Sequence, residues 1–81
     1  MPKKYKVLSG PDVIKILEGF GFEKVSQKGS HVKMCRISTS GDRQILILPD
    51  HKELSVGTLR AIYSQALKYL SEEDLRECFI I

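Results

Sequence analysis

Apolar residues return at steps of three and four along VGTLRAIYSQALKYL, where Val56, Leu59, Ile62, Tyr63, Ala66, Leu67 and Leu70 form one stripe. This period predicts an amphipathic helix. Its start falls at either Ser55 or Thr58, both residues that accept the first free amides of a helix. A shorter stripe, Val13, Ile14 and Leu17, follows SGPD, in which Ser9 and Asp12 have capping-box spacing and Pro11 fits a first turn. That helix should stop near Gly19 or Gly21, leaving Phe20 and Phe22 as core residues.

Between the helices the period changes to two. Residues 23–27 suit a short strand, and Lys28 and Gly29 a tight turn. The run at residues 30–38 alternates loosely, with His31, Lys33, Cys35 and Ile37 on one side and Val32, Met34 and Arg36 on the other. A polar loop, STSGD, leads into RQILILP, whose apolar run makes it the expected central strand, ended by Pro49. Ser71 and Asp74 repeat the capping spacing, so a short helix should run to about Cys78. The order helix, strand, strand, strand, helix, short helix is that of one α+β domain over residues 1–81, with helices on one face of an antiparallel sheet.

Composition agrees with a single small globular domain: 81 residues, 42% hydrophobic and 28% charged. Charge changes the picture more. Residues 1–36 carry eight Lys or Arg against Asp12, Glu18 and Glu23, a net of +5, whereas residues 37–81 carry five against seven acids, a net of −2. A basic half is suited to a polyanion or to ordinary solvation. Cys35 and Cys78 are neither a C-x-x-C pair nor set beside histidines at ligand spacing, so no metal site is expected and two reduced thiols are. The start MPKKYKV is basic with no apolar run after it, and no span-length apolar run occurs, so a cytoplasmic protein is expected.

Candidate chemistry is sparse. The chain has no Gly-rich phosphate loop ending in Lys-Ser or Lys-Thr and no G-x-S-x-G elbow. Two histidines remain, His31 among Lys28, Lys33 and Arg36, and His51 beside Lys52. A lone histidine at a turn can be structural, or it can move protons near neutral pH. RNA carries its own nucleophile, the 2′-hydroxyl, so its cleavage needs only proton transfer and cations to stabilise the transition state, with no cofactor or metal. DNA lacks that hydroxyl.

The ordered fragments Ser9-Gly10, Val13-Ile14-x-x-Leu17, Gly21-Phe22, QKGSH at residues 27–31, P-x-H-K-E-L from Pro49 to Leu54, GTLR at residues 57–60 and Gln65-Ala66 resemble the HicA family of messenger-RNA interferase toxins over about residues 8–70. The resemblance implies a fold related to double-stranded-RNA-binding domains, endonucleolytic cleavage of mRNA without a cofactor, inhibition of translation, and a HicB-like antitoxin partner. It also implies that His31, the histidine of the GSH motif, is catalytic.

Many family members have a second histidine where this chain has Val32; strand alternation turns that position away from His31. The segment after Ala66 also departs from the family pattern. Lys28, Lys33 and Arg36 are candidate phosphate contacts or a solvated edge. Gly29 permits the turn or a close phosphate approach, and Ser30 orients His31 or RNA or merely completes the turn. His51, with Lys52, is the candidate proton-transfer partner or a loop residue, and Thr58 and Arg60 sit near a helix N-terminus that favours anions. The competing readings are a non-catalytic double-stranded-RNA-binding module and a domain that docks an acidic protein.

Overall fold

A computed structural model describes residues 4–81, so residues 1–3 of the basic N-terminal segment lie outside it. Among the described residues the order is α1 (Gly10–Gly19), β1 (Glu23–Lys28), β2 (His31–Ile37), β3 (Arg43–Pro49), α2 (Val56–Ala66) and α3 (Glu72–Phe79). This is the α+β arrangement expected from the periodicities, with the order of a double-stranded-RNA-binding-type fold. Each helix begins where the capping chemistry places it. Ser9 Oγ accepts from the Asp12 amide while the Asp12 carboxylate accepts from the Ser9 amide, both at 3.0 Å. Ser55, rather than Thr58, caps α2, and Ser71 caps α3.

The strands form an antiparallel meander in the order β1-β2-β3. The central strand is therefore β2, not the apolar β3 expected there. Short links decide this: each strand is joined to the next by a turn or a short loop, so each pairs with its chain neighbours and the middle one ends in the middle. The apolar run of β3 is divided between two faces. Leu46 and Leu48 are buried, whereas Ile47 points outward at 48% exposure.

The buried face carries Val32 and Met34 of β2 and Leu46 and Leu48 of β3. Val13 and Leu17 of α1, Leu59, Ile62, Tyr63 and Ala66 of α2, and Leu75 and Phe79 of α3 complete the core with them. Phe22 is buried as expected, while Phe20 is half-buried at the end of α1. The stripe of α2 ends at Ala66, earlier than the apolar spacing suggested. Leu67 is exposed, and the chain tightens through Lys68 N–H to Gln65 O at 3.2 Å and Tyr69 N–H to Ala66 O at 3.0 Å before turning into α3. A bridge between Tyr5 and Ile80, with Tyr63 edge-on to both Tyr5 and Phe79, fastens the N-terminal segment to the end of α3.

Candidate active site

Three chain segments converge at one end of the sheet. The β1–β2 turn is made by Gly29 and Ser30, one residue later than the expected Lys28-Gly29, because Lys28 is still paired across the ladder with His31. Gly29 takes φ +60°, the left-handed conformation that such a two-residue hairpin loop requires and that glycine adopts without steric cost. Gln27 Nε2 donates to the Gly29 carbonyl at 3.0 Å and reaches Asp50 Oδ2 at 3.4 Å. The Asp50 amide in turn donates to the Ser30 carbonyl at 2.6 Å, tying the β3–α2 loop to the hairpin.

The start of α1 closes the third side. Gly10 is buried, and its amide donates to the His51 carbonyl at 2.7 Å. A Cβ at residue 10 would lie 2.7 Å from both Asp50 Cα and the Pro49 carbonyl oxygen and 2.9 Å from the His51 nitrogen. Only glycine lets two backbone segments approach this closely. Leu54 N–H bonds to Leu8 O at 2.9 Å, so the entry to α2 is held beside the entry to α1. Gln27, Asp50 and Gly10 were not among the site residues the sequence suggested. Ser9-Gly10 was visible as a motif fragment, but its role in close packing was not.

His31 is the first residue of β2 and is exposed. Directly opposed strand residues share a face, so Lys28 and Pro49 flank His31 on the face of the sheet turned away from the helices. Lys33 lies two residues along the same face, paired with Ser26 and Ile47. An exposed imidazole is thus set between two lysines. Val32, the next residue along β2, is fully buried on the opposite face.

The other suggested residues divide. His51 and Lys52 are exposed on the loop that the Asp50 amide draws to the hairpin. Thr58 belongs to the α2 cap: its amide and hydroxyl both bond Ser55 Oγ, at 3.1 and 2.9 Å. Arg60 is exposed on α2. Arg36 is on the helix-facing side of β2, away from His31. Its guanidinium donates to Gln44 Oε1 at 2.7 Å, Phe20 O at 2.9 Å and Tyr69 O at 3.1 Å, and stacks 4.9 Å over the Phe22 ring. These contacts join α1, the sheet and the end of α2, which makes Arg36 a structural clamp.

Among the described residues no cluster of three or more His, Cys, Asp or Glu side chains is placed to hold a metal ion, and no helix is long and apolar enough to cross a membrane. Cys35 and Cys78 are free thiols. The family model described as "HicA toxin of bacterial toxin-antitoxin" matches residues 10–67. The chain belongs to this HicA toxin family. No match was found among curated proteins or among solved structures. The HicA match runs from the start of α1 to just past the end of α2, and takes in the hairpin, His31 and the β3–α2 loop. It leaves α3 outside, in agreement with the departure seen in the sequence after Ala66. Membership makes this chain a toxin of a toxin–antitoxin pair, with an antitoxin as its partner.

Proposed function

We propose that this HicA-family toxin is a metal-independent endoribonuclease that cleaves messenger RNA in the cytoplasm and so inhibits translation, with His31 as a catalytic proton-transfer residue and a HicB-like protein as its antitoxin. The observation that carries this reading is an exposed histidine at the start of the central strand, with Lys28 across from it and Lys33 on the same face. An RNA phosphate set between the two lysines would present its neighbouring 2′-hydroxyl to the imidazole. The 2′-oxygen attacks phosphorus as its proton is removed, the bond from phosphorus to the 5′-oxygen breaks, and that oxygen leaves with a proton. The lysines stabilise the charge that builds on the phosphoryl oxygens. His31 performs one of the two proton transfers, and His51, on the adjoining loop, is the candidate for the other. Gly29, Ser30 and Lys52 line the approach, Arg60 supplies an outer contact for the RNA, Thr58 holds the start of α2, and Arg36 supports the sheet.

The test is single-stranded RNA incubated with wild type and with His31→Ala in excess EDTA. The wild type should generate 2′,3′-cyclic phosphate and 5′-hydroxyl ends, and the variant should lose roughly a hundredfold or more in rate, as expected for removal of a general acid or base. Equal cleavage by both proteins would remove His31 from the mechanism. The order of the fold also favours a second reading, a non-catalytic module for duplex RNA. Tight binding of duplex RNA without cleavage of any RNA would select it.

A further inference from the structure

Gln27 opens the QKGSH motif, yet neither the proton transfers nor the phosphate contacts use it. Its pairing with Val32 puts it on the helix-facing side of β1, opposite to His31. By strand alternation Lys24, three residues earlier, should face the other way. The bulge between Lys24 and Ser26 reverses this, so that Lys24 pairs with Met34, which is buried on the same side as Val32. Lys24 Nζ donates to Gln27 Oε1 at 2.7 Å, which fixes the oxygen end of the carboxamide. Its nitrogen end then uses both hydrogens: Nε2 donates to Gly29 O at 3.0 Å and to Asp50 Oδ2 at 3.4 Å.

We propose that Gln27 is a positioning residue for cleavage. Through Asp50 it fixes the loop that carries His51 against the turn that precedes His31, so that the two proton-transfer groups keep one relative placement. The inference rests on the ribonuclease reading and assigns the part of the motif which that reading leaves idle. Asp50 N–H bonds to Ser30 O at 2.6 Å, and Gly10 N–H bonds to His51 O at 2.7 Å. A backbone bond at one point of the hairpin leaves a pivot. The bond from Gln27 to the Asp50 carboxylate adds a second point on the same turn, and two points fix an orientation where one fixes only a distance.

The expected effect falls on rate more than on folding. Gln27 is exposed and buries no apolar side chain, so its bonds add little to global stability. Catalysis is more demanding, since a misplacement of about 1 Å can cost on the order of a hundredfold in rate. Direct contact with the scissile phosphate is not the role of Gln27, because its amide hydrogens are engaged and it faces away from Lys28, His31 and Lys33.

The test is a double-mutant cycle on the full chain, with single-stranded RNA in excess EDTA. Gln27→Met and Asp50→Ala should each lower kcat roughly tenfold, with KM within about twofold and melting near wild type. The double variant should lose no more than the worse single one, because either change breaks the same contact. Asp50→Asn, which keeps an acceptor oxygen, should recover most of the Asp50→Ala loss. Independently of activity, amide hydrogen exchange at Asp50 should quicken roughly tenfold in Gln27→Met, while the β2–β3 ladder exchanges as in wild type. Wild-type kcat in Gln27→Met, losses that multiply in the double variant, or unchanged exchange at Asp50 would overturn the proposal. A loss carried by KM alone would also overturn it, by making Gln27 an RNA contact. Full activity in Gln27→Met beside an inactive His31→Ala removes the positioning role and leaves the ribonuclease standing. Cleavage that survives His31→Ala removes the proposed mechanism and with it this role, whatever the exchange rates show.

Discussion

An alanine at residue 10 would put a methyl group 2.7 Å from Asp50 Cα and from the Pro49 carbonyl oxygen. These are backbone atoms on a loop fastened to the hairpin through Asp50 N–H and Ser30 O, so no side-chain rotation can make room. Either α1 moves off the loop or the loop moves off the hairpin. Overpacking of this kind costs about 1–3 kcal/mol, and loss of the Gly10–His51 hydrogen bond adds about 1 kcal/mol, giving roughly 3 kcal/mol for Gly10→Ala. For a domain of this size that corresponds to a fall of roughly 15 °C in melting temperature. Gly19→Ala is the control, since nothing lies within 4 Å of a Cβ there and the site is within α1. It should be neutral or stabilise by up to about 1 kcal/mol. Thermal and urea melts followed by circular dichroism would measure both variants. A Gly10→Ala protein that melts within about 1 kcal/mol of wild type would refute the close-approach argument, and with it the role of α1 in seating the loop that carries His51.

Arg36→Ala should destabilise the fold by about 2–3 kcal/mol, because the Phe20 and Tyr69 carbonyls lose their donor and the Phe22 ring its cation; below its melting point the variant should retain RNA cleavage, and a stable but inactive protein would contradict the clamp role. Replacing Lys28 and Lys33 together by alanine should lower RNA affinity and reduce by about two the salt-dependence slope of binding, while melting stays near wild type; an unchanged slope would remove both as phosphate contacts. The Ser9 amide, then the Ser9 hydroxyl, holds the Asp12 carboxyl below its ordinary value of 3.8, with Lys15 lowering it further. A depressed folded-state pKa stabilises above the unfolded value and is lost as pH falls through the folded one. The stability margin of wild type over Asp12→Asn should therefore be constant at neutral pH and shrink below pH 3.8 in acid melts; a margin that grew on acidification would refute the capping-box account.

Local chemistry was readable from the chain because its determinants lie within a few residues of one another. The Ser9–Asp12 box, the Ser71 cap and the alternation of β2 each involve neighbours in sequence, and each is found in the structure. The same alternation put Arg36 on the side of Val32 and Met34, although its charge suggested a phosphate contact. Its partners at Phe20 and Tyr69 are far away along the chain, so no local pattern could reveal that its donors are taken.

By itself, then, the sequence determined which segments are helical or extended, where the helices start, and that His31 opens a strand among lysines. Tertiary structure alone decided that β2 is central, that Asp50 closes onto Ser30, that Gly10 must lack a side chain, and that Ile37 and Ile47 remain uncovered beside His31. The physical reason is the range of the interactions. Caps and strand alternation are set by bonds and sterics over three or four residues, whereas strand order, close backbone approach and exposure depend on which distant segments share the same space.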